Sequence, residues 1–170
     1  MKKGFTLVEV LISIFIFSII MIITTSMFVY SLDLQRRALN LQQAEENASF
    51  ILESMTKEIR VATIDPAVSH VDCATASPET TLSVTNEDIG TIRYYLSGTD
   101  LIREVDGASG PAMNSIAVQF TSLGFCVTGA STGDGLQPRI TILATVKSAR
   151  ADPQAMMNIE TSVSLRELTD

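Results

Sequence analysis

The sequence predicts an α+β protein: a long N-terminal helix followed by a head built on an antiparallel β-sheet. Three observations carry this. After Glu9 no charged residue occurs until Asp33, and neither glycine nor proline occurs between Phe5 and Asp65. From about Val68 to Asp170 the chain changes to short β-rich runs separated by Gly, Pro, Ser, Asn and Asp, the pattern of strands and turns. A rod followed by such runs implies a sheet that buries one face on the C-terminal half of the rod.

The first element is residues 5–32. Val10 to Leu32 is uncharged and long enough to cross the ~30 Å apolar core of a bilayer as a helix. Lys2 and Lys3 precede it and belong on the cytoplasmic side by the positive-inside rule. Glu9 is the odd residue. A carboxylate at the centre of a membrane helix costs roughly 2.5 to 3.5 kcal/mol on insertion scales, and less near an interface. Downstream to Leu32 no Lys, Arg or His offers it a partner. A new α-amino group, made by cutting the chain just upstream, is the nearest alternative cation. Gly4-Phe5 suits such a cut, because glycine presents no side chain to a protease pocket. An ordinary signal peptide fits poorly, since the apolar part is too long and no Ala-x-Ala site follows within reach. A plain signal anchor stays open.

The string Lys2-Lys3-Gly4-Phe5-Thr6-Leu7-Val8-Glu9-Val10-Leu11-Ile12 resembles the N-terminus of type IV prepilins and of the pseudopilins of type II secretion and competence systems. The resemblance implies a pilin-like fold and a leader, residues 1–4, removed after Gly4 by a membrane-embedded prepilin peptidase. It implies N-methylation of Phe5, and an assembly role for Glu9, which neutralises the N-terminus of a neighbouring subunit. The chain departs from many major pilins in having no proline within the apolar segment. Thr24, Thr25 and Ser26 are its only candidate weak points, since hydroxyls can bond back to carbonyls one turn earlier.

The second half of the helix, residues 33–65, is amphipathic. Leu34, Ala38, Leu41, Ala44, Ala48, Ile51, Leu52, Met55, Ile59 and Ala62 recur mostly in steps of three and four. Pro66 supplies a stop. At about 1.5 Å per residue the whole rod measures roughly 85 Å. Arg36, Arg37, Glu45, Glu46, Glu53, Lys57, Glu58 and Arg60 fall on the other faces and read as a solvated surface.

The head, residues 66–170, is expected to be extracytoplasmic and β-rich. Strands are expected at 80–85, 91–96, 101–105, 116–122, 125–128, 139–147 and 157–165. Ile140, Ile142, Ala144 and Val146 alternate with Thr141, Leu143 and Thr145, which marks a half-buried strand. Tyr94 to Arg103 reads as a hairpin turning at Ser97-Gly98-Thr99-Asp100. The tracts 107–114 and 129–138 read as loops. Met55 to Ala62, the Tyr94-Tyr95-Leu96 and Leu101-Ile102-Arg103 hairpin, and the final Thr161 to Arg166 run resemble the J-class minor pseudopilins and related minor pilins, more loosely than the N-terminus does.

Cys73 and Cys126 are the two cysteines, both in a head placed where disulfides persist. A bridge would close a loop of about fifty residues. The pair reads equally as two unpaired thiols, and geometry decides.

Catalysis has little support. The single histidine, His70, lacks partners for a metal site, and Asp134 between two glycines lacks the spacing of a calcium loop. No phosphate-binding loop, zinc pattern or nucleophile motif is present, so neither cofactor nor metal is expected. The chain carries a net charge of −7, and beyond Pro66 twelve acids face six bases. Direct binding of nucleic acid is therefore disfavoured. Expected partners are the prepilin peptidase, the membrane, and other pilins or pseudopilins through the N-terminal helix. The alternative is a single-pass membrane anchor whose head acts as a receptor or adhesin and never polymerises.

Overall fold

The computed structural model describes residues 4, 6–64, 73, 76–130, 136–149 and 156–165. The chain divides into two units, Met1–Leu39 and Asn40–Asp170. Helix α1, Leu7–Arg60, contributes to both.

In the first unit α1 starts where Thr6 caps it. The Glu9 amide donates to Thr6 Oγ1 (3.3 Å) and to the Thr6 carbonyl (3.1 Å), so one of the four orphan N–H groups of the helix start gains a partner. Residues 7–34 are exposed within the chain. Ser13, Ser18, Thr24, Thr25 and Ser26 each donate a hydroxyl to the carbonyl four residues earlier, at 2.7–2.9 Å. Each of these hydroxyls is thus satisfied inside the helix, as a lipid environment requires. The helix runs through Thr24, Thr25 and Ser26 without interruption.

In the second unit the remainder of α1 buries Ala44, Ala48, Ile51, Leu52, Met55 and Ile59, a stripe at spacings of three and four. Leu34 and Ala38, expected on that stripe, are exposed. Among the described residues, seven strands form two antiparallel sheets rather than one. The first has the order β1 (Thr81–Asn86), β2 (Gly90–Ser97), β3 (Asp100–Val105), β4 (Ala108–Ala112). The second has the order β5 (Val118–Thr128), β6 (Arg139–Ser148), β7 (Met156–Ser164). The core joins the helix stripe to Leu82, Val84, Ile92, Tyr94 and Leu101 of the first sheet and to Phe120, Phe125, Ile140, Ile142, Val146 and Val163 of the second.

The expected strand details are largely present. Ile140, Ile142, Ala144 and Val146 are buried along β6, and Thr141, Leu143 and Thr145 are half-buried. The β2–β3 hairpin pairs Ser97 with Asp100. Its two-residue loop begins with Gly98 at φ +67°, the conformation a tight hairpin asks of its first central residue.

Four further expectations need correction. The helix ends at Arg60, not Asp65, because Thr63 already pairs with the β1 edge through two hydrogen bonds to Thr85 (2.8 and 2.9 Å). Residues 107–114, expected as a loop, contain β4. All five β4 residues are exposed, so no apolar alternation announces it, and Pro111 is tolerated on an edge strand. Residues 116–122 and 125–128, expected as two strands, belong to one continuous β5 with an irregularity between Phe120 and Ser122. Such a bulge interrupts the period-two pattern without ending the strand. Glu58, expected on a solvated surface, is partly enclosed, as described below. His70 and Asp134 lie outside the described residues.

Candidate functional site

The segment around Gly4 and Glu9 is the first candidate. Gly4 is exposed, and a Cβ placed on it would meet no described atom within 4 Å. Nothing in the described fold requires glycine there, so any requirement comes from what binds the segment. Phe5 lies outside the described residues.

Glu9 sits in the first turn of α1. The chain does offer it one compensating field that the sequence reading missed. Thr6-Leu7-Val8-Glu9 is the Ser/Thr-x-x-Glu pattern of a capping box before an apolar run, and the positive end of the helix dipole favours a carboxylate in that turn by about 0.3–1 kcal/mol. That is less than the cost of a charge taken into lipid. A full counter-charge remains the larger stabilising term.

Among the described residues one helix is long and apolar enough to cross a membrane, by length and composition. It is α1, and its apolar stretch directly follows Glu9.

The second candidate is a polar cluster in the head. Tyr94 on β2 and Arg103 on β3 are cross-strand partners, and both reach Glu58 on α1. Arg103 Nε donates to Glu58 Oε2 at 2.9 Å, and the Tyr94 hydroxyl donates to the same oxygen. Burial, with help from the hydrogen bond to Glu58, holds the Tyr94 phenol well above its usual range. The hydrogen bond to Glu58 raises Arg103. A helix and a two-stranded ribbon are thereby fixed at one oxygen, and the arrangement has the character of a structural tie. The signal was present in the sequence as two separate facts: Glu58 borders the apolar stripe at Met55 and Ile59, and the Gly98 turn sets Tyr94 opposite Arg103.

The tie has a pH signature. Because Tyr94 is harder to ionise folded than unfolded, its contribution is complete below the unfolded value of about 10 and is lost as pH rises past it. Thermal unfolding followed from pH 8 to pH 11 is expected to show a falling melting temperature above pH 10. In the Tyr94→Phe variant that alkaline fall is expected to be shallower.

Cys73 and Cys126 are joined in a disulfide with a Cα–Cα distance of 5.4 Å. Cys126 lies in β5. Glu79 and Phe125 exchange two backbone hydrogen bonds (2.9 and 2.8 Å).

Residues 1–25 match the family model described as the prokaryotic N-terminal methylation motif. The chain thus carries the prepilin-type signal of type IV pilins and pseudopilins, on a long apolar helix followed by antiparallel sheets. No curated protein and no solved structure matches the chain.

Proposed function

We propose that this chain is a structural subunit, of the minor kind, of a type IV pilus-like filament or a type II secretion pseudopilus. The observation that carries the reading is the coincidence of a methylation-type signal over residues 1–25 with a carboxylate in the first turn of a membrane-length helix. Lys2 and Lys3 hold the start of the helix at the cytoplasmic face. The head faces the oxidising side, which the Cys73–Cys126 bridge supports. Prepilin peptidase cuts after Gly4, and the open surroundings of Gly4 suit a protease subsite that admits no side chain. The freed amine of Phe5 is methylated and keeps its positive charge. During assembly the helices pack side by side, and Glu9 of one subunit pairs with the Phe5 amine of its neighbour.

The minor position rests on the looser likeness of the helix end, the β2–β3 hairpin and the last strand to J-class pseudopilins. The role is structural rather than catalytic. Processing is tested at Gly4. Gly4→Asp in the native host is expected to leave the leader attached to all of the protein, read as the intact mass. A processed mass for that variant would contradict the assigned cleavage site.

A further inference from the structure

The two sheets of the head have four edges, and three of them are closed or blunted. Thr63 pairs with Thr85 along β1. The outer edge of β5 receives Glu79 at Phe125 and gives the Phe120 amide to the Thr99 carbonyl (3.0 Å). Strand β4 is five residues long, contains Gly110 and Pro111, and meets β3 through a register shift, all of which discourage further pairing. Strand β7 has none of these devices. Its nine residues include neither glycine nor proline, carry one charge, at Glu160, and pair with β6 in unbroken register. Among the described residues its far side has no backbone partner.

The phase of that edge is set by one bond. The Leu165 amide donates to the Pro138 carbonyl at 2.9 Å, and bonding alternates along an antiparallel ladder. Met157, Ile159, Thr161 and Val163 therefore bond to β6, while Asn158, Glu160 and Ser162 turn their N–H and C=O groups outward. On the inner face Met157 and Ile159 are only half-buried against the core, so apolar cover thins along this strand. On the outer face a hollow of about 370 Å³ lies between Ser122, Leu143, Thr145, Asn158 and Glu160. Thr145 donates to Asn158 Oδ1 at 2.9 Å. Among the described residues the Glu160 carboxylate forms no ion pair.

We infer that β7 accepts an extended segment of a neighbouring filament subunit as an added strand, with a basic side chain of that segment placed at Glu160 in the hollow. The inference rests on the proposed function for the identity of the neighbour. In strand addition the main-chain bonds give affinity and the alternate side chains give specificity. The segment that fits carries apolar residues beside Met157 and Ile159, and a Lys or Arg opposite Glu160, where unlike charges stabilise a strand pair and like charges oppose it. A second copy of this chain fits less well. Beyond Pro66 twelve acids face six bases, so two such heads repel one another.

The test uses the full chain in its native host, with a photo-reactive phenylalanine analogue at exposed Asn158 and, as control, at exposed Ser83 of β1. The expected product at position 158 is a cross-link to another pilin-type subunit, mapped by mass spectrometry to an extended segment of its head. No such product is expected from position 83. Ser162→Pro removes one outward N–H and leaves the bonds to β6 in place. It is expected to lower the cross-link about tenfold, the equivalent of one or two lost hydrogen bonds, at an unchanged membrane level. Ser162→Ala removes only the hydroxyl that bonds with Thr141 (2.8 Å) and is expected to leave the cross-link unchanged. Glu160→Lys, a surface change, is expected to act like the proline variant. Cross-links to a second copy, to lipid, to a neighbour's helix, to a protein of another kind, or to nothing would overturn the added strand if the processed chain still assembles. Undiminished cross-linking in both Ser162→Pro and Glu160→Lys would do the same. A wild-type chain that keeps its leader and copurifies with no pilin would instead overturn the underlying function, and the added strand with it.

Discussion

Replacing Glu9 with alanine or valine is expected to leave the chain in the membrane and remove it from the filament. Insertion does not suffer, because the substitution deletes a charge that costs up to roughly 3.5 kcal/mol in lipid. Assembly does suffer. In the filament the neighbour's Phe5 amine would lose its counter-charge in apolar surroundings, and breaking such a pair from one side costs about 3–5 kcal/mol. Incorporation should fall about a hundredfold or more. Fractionation reads both halves of the prediction, as membrane level and as recovery with sheared filaments or purified pseudopilus complexes. Glu9→Gln separates charge from size, and it is expected to behave like the alanine variant. The dipole of α1 does not rescue either change, since its field acts on the residue that has been removed and leaves the neighbour's amine unpaired.

The second large effect concerns the head. Changing both Cys73 and Cys126 to serine is expected to lower the unfolding free energy by about 4 kcal/mol on the chain-entropy account, for a loop spanning 53 residues. Whole domains are stable by only about 5–15 kcal/mol, so the loss is a large part of the total. The bridge draws Cys73 to β5, beside the backbone pairing of Glu79 with Phe125. Without it that pairing must hold the segment unaided. Denaturant unfolding of the full chain in detergent, compared with the double variant, measures the difference. A loss under about 1 kcal/mol would show that the segment is held by its packing and backbone bonds alone.

What the sequence made legible follows from how local each signal is. The N-terminal methylation-type motif is written in adjacent residues, and a charge within an apolar run needs no tertiary context to be conspicuous. The β6 alternation was legible because one face of that strand is fully buried, and the β2–β3 hairpin because Gly98 marks its turn. The helix stripe from Ala44 to Ile59 followed from its period. Other features depend on partners distant in the chain. Glu58 meets Tyr94 and Arg103 across 36 and 45 residues, which no window on the helix reveals. The helix end at Arg60 is set by Thr63 pairing with Thr85, 22 residues on. Strand β4 carries no buried residue, so its only signature is backbone pairing with β3. The division of the head into two sheets likewise depends on which edges meet. The Thr6 cap is local by contrast, a Thr-x-x-Glu pattern carried by adjacent residues.

The most direct test of the account is the intact mass and N-terminal sequence of the protein isolated from its native host. The account predicts a chain that begins at Phe5 with a methylated α-amine, which supplies the cation that Glu9 meets in a neighbour. A chain that still begins at Met1 would contradict it, and the molecule would then be a domain tethered by an uncut helix.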